Sequence, residues 1–522
     1  MGWQAGAVAL RSCPFRRCGL GPFVPRARSL VGEETRMTVP EPRSGAHDRR
    51  AARLARRVAA LAGAGAVAVC MVVGVGANSA SATVEHAALS GNLSITFNTF
   101  DYATLNTILQ SWEKLNPGVH VSVADVSNTP STYVPLLQSE QAAGDQPDIN
   151  EAYDVLTPTF EVDGLAADLK SVLTSTNTDA VNYWYPSFEA SYIPPKGATG
   201  GVTVGDPYGV PLEADATVIL YNETELAAAH VPFPKDGWTW TQMLADAKKL
   251  RKGSGATQKQ YGICLRPDWQ AEYNPVLHAY GVTAFTETKA ILDTPAAQTA
   301  WNLMLAPLEN GDAVPESQIG ANAAGDCGGV FESGEAAMAL AVRGGAAGYA
   351  AAIENKFKWN VVTMPTITVG KNKPDYPVGG GSVSFTLSPS VVDGSKGGNH
   401  TADLPNAESF LKYLFSAAGQ KVGEDTFGII PAVPSLNGPT AEWRHLVGGP
   451  GTNQSFPTNN NPWSFDAAKA IIAPQTPGTV FTSSNTDVPN FVEDVTTHQE
   501  SLKAGLSQLQ SQMSSAYSSA GS

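Results

Sequence analysis

Aromatic rings beside carboxylates recur where this chain is expected to leave a strand. Phe100-Asp101-Tyr102 follows the alternating Leu93, Ile95 and Phe97, and Tyr153-Asp154 follows Pro147-Asp148-Ile149. Trp269, Glu272 and Tyr273 follow the apolar run Tyr261–Leu265. A ring stacks on an apolar C–H face and a carboxylate accepts from hydroxyls, so the combination suits a polyhydroxylated ring such as a sugar. Open α/β sheets bind ligands beyond the carboxyl ends of their strands, which is where these residues fall in the sequence. For each ring taken singly, packing into core or rim is the competing reading.

Motifs for catalysis are missing. The eight His residues are scattered, with no H-E-x-x-H and no pair at helical ligand spacing. No G-x-S-x-G elbow, Walker loop or dinucleotide fingerprint occurs. Gly379-Gly380-Gly381 precedes a strand-like run rather than a helix, so close backbone approach to a ligand or another segment fits it better than a phosphate cradle. A glycosidase pair of carboxylates stays open, because so many acids make chance pairs, but no acid sits in a catalytic motif. The balance favours a binder over an enzyme, and neither a cofactor nor a metal is called for. Beyond residue 82 only Cys264 and Cys327 remain. A disulfide and two buried free thiols both stay open, and two cysteines without a second pair at metal spacing do not suggest zinc.

The 522 residues carry a net charge of −14, unevenly spread. Residues 1–82 hold 12 Arg, no Lys and four acids, so the remainder is strongly acidic. Such a body repels phosphate backbones and anionic lipid, which argues against nucleic acid and polybasic membrane docking. Arg49-Arg50, Arg53 and Arg56-Arg57 precede an uncharged apolar run from Val58 to Ala77, and Ala80-Ser81-Ala82 supplies an A-x-A site. This reads as a secretory signal peptide cut after Ala82, with a single membrane anchor as the lesser alternative. Val69 before Cys70 is branched, which disfavours lipidation there, and the arginine pairs match twin-arginine export weakly. Residues 1–36 resemble no targeting segment, so translation is expected to begin at Met37. The expected destination is extracytoplasmic, at the cell surface or secreted.

The elements that must position these residues alternate. Leu105, Ile108, Leu109, Trp112 and Leu115 form a helical stripe, stopped by Asn116-Pro117-Gly118, and Val119, Val121 and Val123 resume strand alternation. Thr217–Asn222, Tyr261–Leu265, Trp359–Met364 and Val383–Leu387 read as further strands. Helices are expected after Trp238-Thr239-Trp240, from Phe331 through Met338, over 407–415, and through Leu502, Leu506, Leu509 and Met513. The roughly 440 residues beyond the leader exceed one core, so at least two lobes of α/β type follow.

Nine short pieces, in order, resemble the family-1 extracellular solute-binding proteins of ABC importers, the group that captures sugars. They are Trp112–Val119, Ala143–Ile149, Gly164-Leu165 with Asp168-Leu169, and Tyr208–Pro211 through Leu220-Tyr221-Asn222. Trp238-Thr239-Trp240, Phe331–Met338, Trp359–Pro365, the Gly379–Gly381 strand and Gly428–Ala432 complete the set. The resemblance implies a two-lobed, periplasmic-binding-protein-like α/β fold, each lobe a sheet flanked by helices, with three hinge crossings near Pro211, Gly344 and Ser416. The parts are then 1–82 leader, 83–91 linker, 92–210 plus 344–415 N-terminal lobe, and 211–343 plus 416–522 C-terminal lobe. Ligand contacts carried over are Phe100, Asp101, Tyr153, Asp154, Asp215, Trp269, Tyr273, Arg343, Gly380 and Gly381. Maltose-type relatives often carry a tryptophan where this chain has Arg343-Gly344-Gly345, which argues against a long stacked glucan. The implied partners are a sugar or oligosaccharide and the transmembrane permease subunits of an ABC importer, with the protein itself a monomer and not an enzyme. A secreted glycosidase-like enzyme and a binder of peptides or polyamines are the alternatives.

Overall fold

In the computed structural model, the described residues lie between 88 and 520, without 99–101, 127–129, 154–155, 170–207, 215, 287, 320–326, 343–344, 355, 381–382, 415, 428–429, 432–435 and 437–475. All of them belong to one compact unit, Glu85–Ser522. The chain opens with β1 (Gly91–Asn98), α1 (Tyr102–Glu113), β2 (Val119–Val126), α2 (Pro130–Ala143), β3 (Ile149–Tyr153) and α3 (Leu156–Asp163). Next come β4 (Val210–Pro211), β5 (Glu213–Ala214), β6 (Thr217–Asn222), α4 (Glu223–Ala228), α5 (Trp240–Leu250), α6 (Gln270–Ala279) and α7 (Pro295–Glu309). The short α8 (Glu316–Ile319) and α9 (Gly328–Glu332) lead to β7 (Met338–Val342), α10 (Ala346–Ile353) and β8 (Trp359–Val362). The remainder is β9 (Val383–Leu387), α11 (Pro389–Val392), α12 (Leu404–Leu414), α13 (Ala417–Phe427), β10 (Ile430–Pro431), α14 (Gly478–Thr496) and α15 (Leu502–Ala520).

Leu93, Ile95 and Phe97 alternate because β1, flanked by β2 and β3, buries that face. β1 runs parallel to β2 (Leu93↔Val121) and β3 (Ile95↔Ile149), and β9 runs antiparallel to β3 and β4, giving the order β2-β1-β3-β9-β4. On α1 the residues Leu105, Ile108, Leu109 and Trp112 are buried, with Trp112 edge-on to Phe410 of α12 at 5.5 Å. The helix ends at Glu113, so Leu115, the expected last position of the stripe, is 68% exposed.

The second sheet is antiparallel, in the order β7-β6-β8. Its central strand, Thr217–Asn222, is buried along its whole length. Two expectations fail here. The stretch Phe331–Met338 is not one helix: α9 stops at Glu332, Gly334 takes a left-handed φ of 80°, and Met338–Val342 pairs with β6 as β7. Its Met-Ala-Leu-Ala run is small and apolar because Met338–Ala341 are buried, a burial that overrides alanine's helical preference. Tyr261–Leu265 is extended but makes single parallel bridges, Tyr261 to Ala336 and Cys264 to Ala339, instead of a regular strand. A disulfide joins Cys264 to Cys327, with Cα atoms 5.7 Å apart.

The chain changes sheet between Pro211 in β4 and Thr217 in β6, and returns between Val362 in β8 and Val383 in β9. The expected crossing at Gly344 does not stand, because β8 pairs with β6, so residues 359–362 belong to the second sheet. Nor does the chain leave at Ser416: α13 packs on α1 and α12, beside the first sheet, and the ribbon partner of β5 is β10 beyond it. Helix α14 touches both sets of helices. Its first residue, Gly478, donates its N–H to Asp163 Oδ1 of α3 at 3.1 Å, and Phe481 is buried in the cluster holding Tyr133, Leu137 and Phe160. Farther along, Phe491 meets Trp301 of α7 edge-on at 5.1 Å. Among the described residues, no helix is long and apolar enough to cross a membrane.

Candidate functional site

Each crossing joins one end of the first sheet to one end of the second. In the first sheet, Tyr153 at the carboxyl end of β3 is opposite Val383 at the start of β9. In the second, Thr217 at the start of β6 is opposite Val342 at the end of β7. A reciprocal knot ties the crossings on the side of the second sheet. Thr217 N–H and Oγ1–H approach the Gly379 carbonyl at 2.8 and 3.1 Å, and Gly379 N–H lies 3.0 Å from Thr217 Oγ1. Gly379 also lies against the first turn of α6, where a Cβ would overlap the Ala271 backbone, so only glycine lets the crossing approach so closely. Gly380 follows with φ 152°.

Trp269 is the N-cap residue of α6 and supplies no side-chain cap. The turn before it is closed in two ways: Trp269 N–H donates to the Arg266 carbonyl at 2.9 Å, and Arg266 N–H donates to Glu272 Oε2 at 2.5 Å. The Arg266 guanidinium grips Asp268 with both ends, Nε to Oδ1 at 2.8 Å and Nη2 to Oδ2 at 2.6 Å. Bidentate pairing of this kind fixes geometry as well as charge. Burial pushes Glu272 up to about 8, with the Asp268 charge adding to the shift and the Arg266 contacts opposing it. Burial and Asp268 likewise push Glu316 of α8 up to about 8. The Trp269 ring is partly buried, packed against the core on one side with the remainder accessible.

Of the residues expected to touch a ligand, Phe100, Asp101, Asp154, Asp215, Arg343 and Gly381 lie outside the described residues. Tyr153 is placed by its backbone at the end of β3. Trp269 and Gly380 fall at the meeting of the crossings with α6. Tyr273 does not: it is 2% exposed, packed on Trp301 at 5.5 Å and Phe285 at 6.3 Å, so its ring belongs to the core. Sequence reasoning passed over the Arg266–Asp268 pair, although Arg-Pro-Asp-Trp at an expected strand end holds an opposite-charge pair two residues apart. Among the described residues, no cluster of His, Cys, Asp and Glu could hold a metal ion.

The profile of the bacterial extracellular solute-binding proteins matches residues 97–421, well over half of the chain, and the chain belongs to that family. No curated protein sequence matches it. Solved structures match along nearly their whole length. One is an ABC substrate-binding protein from Listeria monocytogenes in complex with cycloalternan, 18% identical, covering 82% of this chain and 98% of that one at a TM-score of 0.64. Another is the GacH receptor of Streptomyces glaucescens GLA.O, solved unliganded and with acarbose, at 17% identity, 82% and 99% coverage, and TM-score 0.62. Maltose-bound MalE3 of T. maritima is 16% identical, with 81% and 99% coverage and TM-score 0.61. At these identities the likeness establishes the shared two-lobed α/β fold.

Proposed function

We propose that this protein is the exported substrate-binding component of an ABC importer and captures a sugar or oligosaccharide between its lobes for delivery to a membrane permease. The observation that carries the reading is the contact of both crossings with the start of α6: Gly379 is hydrogen-bonded to Thr217 and packs against the backbone of Ala271, two residues from Trp269. Solved structures of similar proteins hold cycloalternan, acarbose and maltose, which supports a sugar as the cargo. A ligand that touches both sheet ends binds the closed arrangement better than the open one, and that difference in affinity drives closure by bending where the chain passes between the sheets. Stacking on a ring contributes about 0.5–1.5 kcal/mol and each charge-assisted hydrogen bond about 1.5–3 kcal/mol, so a few of each reach the ~8 kcal/mol of micromolar capture.

The cargo leaves unchanged in this account. Glu272, whose carboxyl has a raised proton affinity, does not fit a glycosidase acid, because it is fully buried beneath the Trp269 turn and out of reach of a glycosidic oxygen. Export through the Val58–Ala82 signal, with cleavage after Ala82, places the mature protein outside the cytoplasm. A thermal-shift screen with maltotriose, mannobiose, tagatose, acarbose and cycloalternan tests the cargo class. A rise in melting temperature with at least one of them is expected, and no rise with any of them, alongside a rise with a peptide or polyamine, overturns the sugar reading.

A further inference from the structure

We infer that Glu272 is the positioning residue for Trp269: its buried carboxyl closes the Arg266–Trp269 turn from behind, and loss of its proton releases that turn. The inference rests on Trp269 being a ligand platform, as in the function proposed above. In an ordinary capping box the third helical residue reaches back to the N-cap N–H. Here Trp269 N–H is already bound to the Arg266 carbonyl, and Glu272 reaches one turn farther, to Arg266 N–H at 2.5 Å. Glu272 N–H and Tyr273 N–H both donate to the Trp269 carbonyl, at 2.9 and 3.0 Å, so carboxyl, turn and helix start form one closed unit. The side chain is 0% exposed, and its second oxygen, Oε1, has no hydrogen-bond partner among the described residues. A charge on that oxygen would be neither solvated nor paired.

The groups facing it make ionisation worse. Asp268, on the same turn, is negative and taken up by Arg266. Glu316 comes from α8, and Glu493 of α14 adds further negative charge against Glu316. Among the described residues the cation facing these carboxyls is Arg266, whose guanidinium is engaged by Asp268. Burial together with these carboxyls pushes Glu272 up to about 8, so below that pH it is a neutral acid accepting the Arg266 N–H through Oε2. Above it, three carboxylates would share one arginine under the turn, and repulsion favours a conformation that admits water and moves the Trp269 ring.

The test uses 15N-labelled mature protein without added sugar, reading the Trp269 indole N–H signal, assigned by its disappearance in Trp269→Phe, from pH 6 to 10. In the wild type this signal is expected to shift with a midpoint between pH 7 and 9. In Glu272→Gln it should stay at its low-pH position throughout, because the amide keeps the acceptor and cannot ionise. Glu316→Gln should retain the titration. A wild-type Trp269 signal that does not move over this range overturns the inference, whether or not the variants fold. So does a titration that persists unchanged in Glu272→Gln. Because no sugar is present, a failure here is distinct from a failure of the sugar-binding reading.

Discussion

Replacing both Cys264 and Cys327 with alanine should cost the protein about 4 kcal/mol of stability. The disulfide closes 63 residues of chain, and the chain-entropy relation for a loop of that length gives roughly 4.3 kcal/mol at 25 °C. Both cysteines are fully buried, so the missing sulfur atoms leave a small void that adds to this figure. Cys264 N–H and Cys327 N–H are each bonded to carbonyls of β7, at 2.9 and 3.1 Å, so the folded geometry survives without the bridge and the effect lies mainly in the denatured chain. At roughly 2.1 cal/mol/K per residue over about 440 residues, the loss corresponds to a drop of about 5 °C in melting temperature. Urea unfolding followed by tryptophan fluorescence is the assay. The double variant should show a lower midpoint and a steeper dependence on urea, because its unfolded chain is more expanded. A loss under 1 kcal/mol, with no change in slope, would refute the reasoning.

Two further outcomes follow from the site. Trp269→Ala should weaken binding of whichever sugar raises the melting temperature by at least tenfold while leaving stability nearly unchanged, measured by calorimetric titration and thermal melts; unaltered affinity would remove Trp269 from the site. Glu272 holds its proton in the folded state up to about pH 8 but loses it near 4.5 when unfolded, so the folded state binds more protons across that window and stability falls as pH rises through it. Denaturant titrations at pH 5 and pH 8 should show the wild type losing a few kcal/mol relative to Glu272→Gln, a gap that closes below pH 4.5, with Glu316 leaving part of the slope in the variant.

The parts of the fold legible in the sequence are those in which burial sets a clear period. Leu93, Ile95 and Phe97 on β1 and Leu105, Ile108, Leu109 and Trp112 on α1 repeat at two and at three-to-four residues because each element buries one face. The Ala-rich β7 is illegible for the opposite reason: with nearly every residue buried, no period survives, and composition points to a helix. Helix α14 is hidden by its own composition, since Thr479, Val480, Thr482, Thr486 and Pro489 are poor helix formers, and only packing against α2, α3, α7 and α15 makes it one. In the site, the ring at Trp269 followed from its place after a strand-like run. Tyr273 follows the same strand-like run, yet Trp269 is outside the helix with extended φ and ψ while Tyr273 lies within it, so the two rings have different surroundings. The glycine run Gly379–Gly381 announced a close backbone approach, but its partners, Thr217 and Ala271, are set by tertiary contacts 162 residues and more than 100 residues away in the chain.

The measurement that bears most directly on capture between two lobes is small-angle X-ray scattering of the mature protein before and after saturation with a sugar that raises its melting temperature. A smaller radius of gyration in the bound state, with the sugar recovered intact by chromatography, is the predicted result. Saturable binding that leaves the scattering curve unchanged, or a sugar returned in cleaved form, would contradict it.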